Sequence, residues 1–139
     1  MACGSPPKTV LGRWELKDAT NLLGTQGNPS DMEFKLLLAR TQGDSVFGRA
    51  YAAFGPGPHD DRVCGVVKGE RNGRAGVYLT VFTEDDPGMD IILEGRFRGD
   101  SLLVQTARPR SGKDHVPWGA WLVFLRTSDD TISGCLTRA

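Results

Sequence analysis

Histidine and cysteine are scarce in this chain, with two and three copies among 139 residues. Cys3, Cys64 and Cys135 form no C-x-x-C pair, which removes the spacing that thiolate zinc sites use. His59 and His115, beside Asp60, Asp61 and Asp114, bring the right donor types for zinc or iron. Histidines next to aspartates between strand-like runs are ordinarily solvated turn residues, so no metal is expected. Neither histidine falls on a strand that could aim it at a haem, and no cofactor is expected. Net charge is also lacking, with 17 basic against 17 acidic residues. Without a basic stripe to neutralise phosphates, nucleic acid is a poor partner. No apolar run approaches the roughly 18 residues of a membrane helix, so no transmembrane segment is expected. There is no G-x-S-x-G, and Glu84-Asp85-Asp86 before Pro87 reads as an acidic turn. No catalytic residue is assigned and no enzyme is expected. Nor does any stretch of about twelve residues carry capped helical spacing, although 18–23 has room for one short turn.

What the chain does have is glycine and proline, 18 and 8 copies, set between apolar runs. That punctuation belongs to an all-β chain with many turns. Residues 1–9 read as a flexible tether and 10–139 as one domain. Runs rich in β-branched and aromatic residues recur at 10–17, 32–41, 45–54, 62–68, 76–83, 89–97, 101–107 and 119–127, which predicts eight strands. Short turns join some of them: Gln42-Gly43-Asp44, Arg71-Asn72-Gly73-Arg74 and Arg98-Gly99-Asp100. Asn-Gly tolerates the positive φ of a type I′ hairpin turn. Arg98-Gly99-Asp100 spells a cell-adhesion tripeptide but sits where a hairpin needs its turn. Successive hairpins predict an up-and-down meander.

Period-two alternation sets the faces. Met32, Phe34, Leu36 and Leu38 share one face against Glu33 and Lys35. Met89, Ile91, Leu93, Gly95 and Phe97 oppose Asp90, Glu94 and Arg96, and Gly12, Trp14 and Leu16 oppose Arg13, Glu15 and Lys17. An eight-stranded sheet with one greasy face hides it by closing on itself, which also removes both edges. The expected fold is therefore a single eight-stranded antiparallel up-and-down β-barrel.

Gly12-Arg13-Trp14 at the start of strand one matches a G-x-W motif, and Arg126 lies near the end of strand eight. With these residues the chain resembles the calycins, the superfamily of lipocalins, fatty-acid-binding proteins and avidins. Gly48-Arg49-Ala50-Tyr51 and Gly95-Arg96-Phe97 are similar to avidin-type strands. The resemblance implies that Arg126 packs over Trp14 and closes one end of the barrel. It implies no particular ligand: the middle lipocalin motif and the polar set that avidins aim at biotin are both missing. The N-terminus, Met1-Ala2-Cys3-Gly4-Ser5-Pro6-Pro7, resembles the start of a mature bacterial lipoprotein, with Met1 standing where a signal segment would end. That implies a lipid anchor on Cys3 and an address in the bacterial cell envelope, at the periplasm or outer surface. Secretion without an anchor and a plain cytosolic N-terminus are the alternatives. An oxidising envelope would permit a Cys64–Cys135 disulfide; two idle thiols are the other reading.

The interior is a cavity or a filled core according to the register of strand three. If Gly48 faces inward, Val46, Ala50, Ala52 and Phe54 do too, with Val63, Gly65 and Val67 beside them, and a pocket results. If Phe47 and Tyr51 face inward, the barrel is full. In a meander the connections at 18–30, 55–61, 84–88 and 108–118 surround one mouth. The leading expectation is a non-enzymatic binding protein holding a small hydrophobic or amphipathic ligand. Its contacts would be Phe34, Leu36, Ala50, Ala52, Leu79, Leu93 and Phe124, with His115 and Trp118 near the mouth. The rival is an interaction or structural module with a side-chain-filled barrel. Trp121, Val123 and Leu125 on the outer face of strand eight would then offer a homodimer surface.

Overall fold

Alternating apolar and polar residues, interrupted by glycine turns, leave the chain one economical way to bury its apolar faces. The computed structural model adopts it: a closed barrel of eight antiparallel strands in the order β1 to β8, with β8 pairing back on β1. The structure describes residues 7–20, 33–53, 62–83, 90–107 and 121–127. The strands are β1 Gly12–Thr20, β2 Glu33–Gln42, β3 Ser45–Ala53, β4 Arg62–Asn72, β5 Gly76–Thr83, β6 Asp90–Arg98, β7 Ser101–Ala107 and β8 Trp121–Thr127. No helix occurs among the described residues, and none is long and apolar enough to cross a membrane.

Three short hairpins gather at one end, each carrying a glycine at positive φ: Gly43 at 60°, Gly73 at 71° and Gly99 at 59°. Gln42 pairs with Ser45 and Arg98 with Ser101, leaving two-residue connections. Asn72 pairs with Gly76, so that connection has three residues and Asn72 is the last residue of β4 rather than the centre of a two-residue turn. The connections after β1, β3, β5 and β7 all leave from the opposite end.

Two expected boundaries are corrected. The expected loop from residue 18 starts later, because β1 continues to Thr20. A bulge between Leu16 and Asp18 restores the inward phase, so Ala19 is buried opposite Leu122. The expected stop of β4 at Lys68 is also early, for Gly69 lies within the ladder opposite Leu79. A Cβ there would sit 2.3 Å from the Tyr78 carbonyl oxygen, so this glycine permits close strand approach and marks no turn.

Inside the barrel, Trp14, Phe34, Phe97, Phe124, Leu36, Leu38, Leu79, Leu93, Leu102, Leu122, Val46 and Val67 are fully buried. Val46, Ala50, Ala52, Gly65 and Val67 are buried, so β3 presents its small side chains to the lumen. Phe47 is half-buried on the outer side. Gly48 and Gly65 do not hollow the wall, however. A Cβ on Gly48 would stand 1.9 Å from the Leu37 carbonyl oxygen, and one on Gly65 2.7 Å from Val81 Cγ1. These glycines let neighbouring strands close on each other; the small volume facing the lumen comes from Ala50 and Ala52.

Candidate functional site

The two ends of the barrel differ. At the hairpin end, Trp14 is fully buried, its ring against Phe97 of the opposite wall with centroids 5.3 Å apart. Its indole Nε1 donates to the Val10 carbonyl at 3.1 Å, which ties down the segment before β1. The Arg126 guanidinium lies 4.3 Å from the centre of the Trp14 ring, as the G-x-W resemblance implied. Arg126 Nη1 donates to the Leu11 carbonyl at 2.7 Å, Nη2 to the Thr9 carbonyl, and Nε to Asp100 Oδ1 at 3.0 Å. Gly12 makes room for this arrangement. It has φ 129°, and a Cβ on it would stand 2.8 Å from Arg126 Nη1. A second guanidinium, that of Arg71, stands 5.8 Å from the Phe97 ring while its Nη2 donates to the Arg74 carbonyl at 2.8 Å. Two rings packed at a tilt of 50°, each faced by an arginine, close this end.

The other end has the four long connections and a lighter inner layer. Nearest those connections, the described inward residues of the eight strands are Ala19, Phe34, Ala52, Gly65, Val81, Ile91, Thr106 and Leu122. Ala19 and Ala52 put small side chains at this end, whereas the aromatic pair Trp14 and Phe97 fills the other. Thr106 is the buried polar side chain among the described residues, placed on β7 opposite Leu93. An apolar wall of this kind can take an apolar molecule.

The seven expected lining residues, Phe34, Leu36, Ala50, Ala52, Leu79, Leu93 and Phe124, all face the lumen and are buried. Phe34 and Phe124 meet edge to face with centroids 5.3 Å apart. His115 and Trp118, expected near the mouth, lie outside the described residues, as do His59, Phe54 and Cys3. Among the described residues no three His, Cys, Asp or Glu side chains gather as a metal site. Reading the sequence missed Thr106, Arg71 and the role of Phe97. Thr106 was legible as the third member of the inward series Leu102, Val104, Thr106, but the pairing of Arg71 with Phe97 joins β4 to β6 and leaves no local mark. Trp121 and Val123 are half-buried on the outer face and Leu125 is exposed, as their alternation with Leu122 and Phe124 required.

Compared with known proteins, the chain matches no family model, no curated protein and no solved structure. The functional reading therefore rests on the barrel's own geometry.

Proposed function

We propose that this protein is a non-enzymatic binding protein of calycin type that admits a small hydrophobic or amphipathic molecule through the open end of its barrel. The observation that carries this reading is the asymmetry of the lumen. One end is closed by Trp14, Phe97 and two arginines, while the inner residues nearest the other end include the small Ala19 and Ala52. Eight-stranded barrels are just wide enough to be filled by side chains or to hold one small ligand. Tryptophan fluorescence titration with fatty acids and retinoids tests the idea. In Ala52→Phe, a phenyl ring occupies the rim of the lumen, and affinity is expected to fall roughly tenfold or more, about 1.4 kcal/mol, while circular dichroism stays unchanged. A variant that folds and binds as the parent does would end the proposal.

The second reading is a filled barrel acting through its outside. The contacts of Trp14 with Phe97 and of Phe34 with Phe124, which fill part of the lumen, favour it, as does Leu125 at 38% exposure beside Val123 and Trp121. Native mass spectrometry separates the two. A monomer carrying a small molecule supports the first reading, and a ligand-free dimer that Trp121→Asp splits supports the second.

The calycin resemblance and the Cys3 context fit a lipid-anchored protein of the bacterial cell envelope. The N-terminal segment joins the barrel at its sealed end, so a lipid on Cys3 would turn the open end away from the membrane. An acyl mass on the Cys3 peptide of protein from the envelope fraction supports this address; an unmodified Cys3 there ends it.

A further inference from the structure

The chain has no net charge, yet its charges are not spread evenly along the barrel axis. The three hairpins, the segment before β1 and the last residues of β8 share one end. Residues 7–11, 40–46, 70–76, 96–102 and 126–127 make up that end, with seven basic residues against three acidic. The remaining described residues are nearly balanced, six basic against five acidic, so the excess belongs to the hairpin end. The connections after β1, β3, β5 and β7, which leave from the other end, have the opposite bias. Residues 21–32, 54–61, 84–89 and 108–120 hold seven acidic residues against three basic.

The basic excess is also accessible. Arg71 and Arg126 are occupied with the rings that close the lumen, and Arg126 neutralises Asp100 at 3.0 Å. Asp44 and Glu70 are the other two acids at this end. Lys8, Arg40, Arg74 and Arg98 are exposed there, Arg40 with its guanidinium 4.4 Å from the centre of the Phe47 ring. They come from four separate places: the segment before β1 and each of the three hairpins. The hairpin tips carry Gly43, Gly73 and Gly99 and no large apolar residue, so this end has nothing to insert into hydrocarbon.

We infer that the hairpin end is a docking surface for an anionic phospholipid bilayer, on which the barrel stands with its mouth turned outward. The inference takes its setting from the envelope address proposed above, and its chemistry from the charges alone. Cations on several tips around a blunt end meet a plane of phosphates together, whereas nucleic acid asks for a basic stripe or groove along its backbone. Attraction to an anionic surface falls off within a Debye length, about 8 Å at physiological salt, so only the end nearest the membrane feels it fully. The acidic bias of the other end disfavours the inverted orientation. The N-terminal segment starts from the same end, where Trp14 holds the Val10 carbonyl and Arg126 those of Thr9 and Leu11. A lipid on that segment and the basic residues would therefore act on one membrane face together.

Co-sedimentation of the unacylated full-length chain with vesicles tests this. Binding is expected to vesicles of phosphatidylglycerol and phosphatidylcholine in equal parts, and not to phosphatidylcholine alone. It should vanish as sodium chloride rises from about 0.05 to 0.5 M, because the contact is electrostatic throughout. Lys8→Gln, Arg74→Gln and Arg98→Gln should each weaken it about fivefold, and the triple variant about a hundredfold. Lys17→Gln, on β1 toward the other end, should change it by less than about twofold. In the unaltered protein, vesicles should slow acetylation of Lys8 and leave Lys17 as reactive as before, a result that needs no variant to fold. Equal binding to both kinds of vesicle overturns the inference, as does protection of Lys17 rather than Lys8. Retention on duplex DNA with no vesicle binding at the same salt overturns it in favour of a nucleic acid. An unmodified Cys3 in the envelope fraction would end the lipid anchor and leave this binding standing, while failed vesicle binding ends this inference and leaves the anchor to its own test.

Discussion

Trp14→Ala is expected to destabilise the barrel by about 3–5 kcal/mol, the range for deleting a fully buried large aromatic side chain. The loss has several parts. The ring fills the sealed end against Phe97, so its removal leaves a void beside Phe97 and the segment at Val10. The Val10 carbonyl loses the indole donor at 3.1 Å, and the Arg126 guanidinium loses the ring face 4.3 Å away. Arg126→Ala removes the cation–π contact, about 0.5–2 kcal/mol, and strips three hydrogen-bond acceptors of a charged donor. Part of that cost is recovered because Asp100 is largely exposed and water replaces its partner. Urea denaturation of the two single variants and the double variant measures the coupling. Since both act on the same contact, the double variant should lose less than the sum of the singles. Trp14→Ala within about 1 kcal/mol of the parent would mean that this end is not what holds β1 against β8.

The alternation of Trp14 with Leu16, of Phe34 with Leu36 and Leu38, and of Ile91 with Leu93 was enough to read eight strands and a closed sheet. The pairing of Trp14 with Arg126 was legible because both ends of the contact carry rare residue types in a short motif. Other features depend on information that no single strand contains. Strand three has apolar residues on both faces, Ala50 and Ala52 on one, Phe47 and Tyr51 on the other, so periodicity left its register open. Tyr51 is itself buried, although it alternates with the lumen-facing Ala50 and Ala52. The bulges between Leu16 and Asp18 and between Leu38 and Arg40 shift the phase without any change of composition, which is why β1 was read three residues short. The fourth strand was read as ending at Lys68, just before Gly69, because glycine within a run can equally mark a turn or a close strand approach. Only the position of the Tyr78 carbonyl distinguishes the two roles. The seven expected lining residues were legible by alternation, while the connections after β1, β3, β5 and β7 lie outside the described residues.

Gly48→Ala is expected to cost about 3 kcal/mol or more, at or beyond the upper end of ordinary overpacking, for a gain of one methyl group. The φ of Gly48 is not at issue; the obstacle is the neighbouring backbone. The added Cβ would lie 1.9 Å from the Leu37 carbonyl oxygen and 3.0 Å from the Leu38 Cα, and a main-chain group inside a ladder cannot rotate aside as a side chain can. Gly95 has the same environment on the far side of the barrel, 2.0 Å from the Leu103 carbonyl oxygen, so Gly95→Ala should behave alike. Gly43→Ala is the informative control. Gly43 has nothing within 4 Å of its Cβ position but sits at φ 60°, so alanine there meets only the left-handed backbone penalty, about 1–2 kcal/mol. Equilibrium unfolding of the three variants therefore separates two reasons for glycine in one protein: close strand approach at Gly48 and Gly95, and turn conformation at Gly43. If Gly48→Ala is no worse than Gly43→Ala, strands β2 and β3 do not close as tightly as described. In that event the lumen beside Ala50 and Ala52 is wider than the packing of this wall implies, and the room for a bound molecule is larger with it.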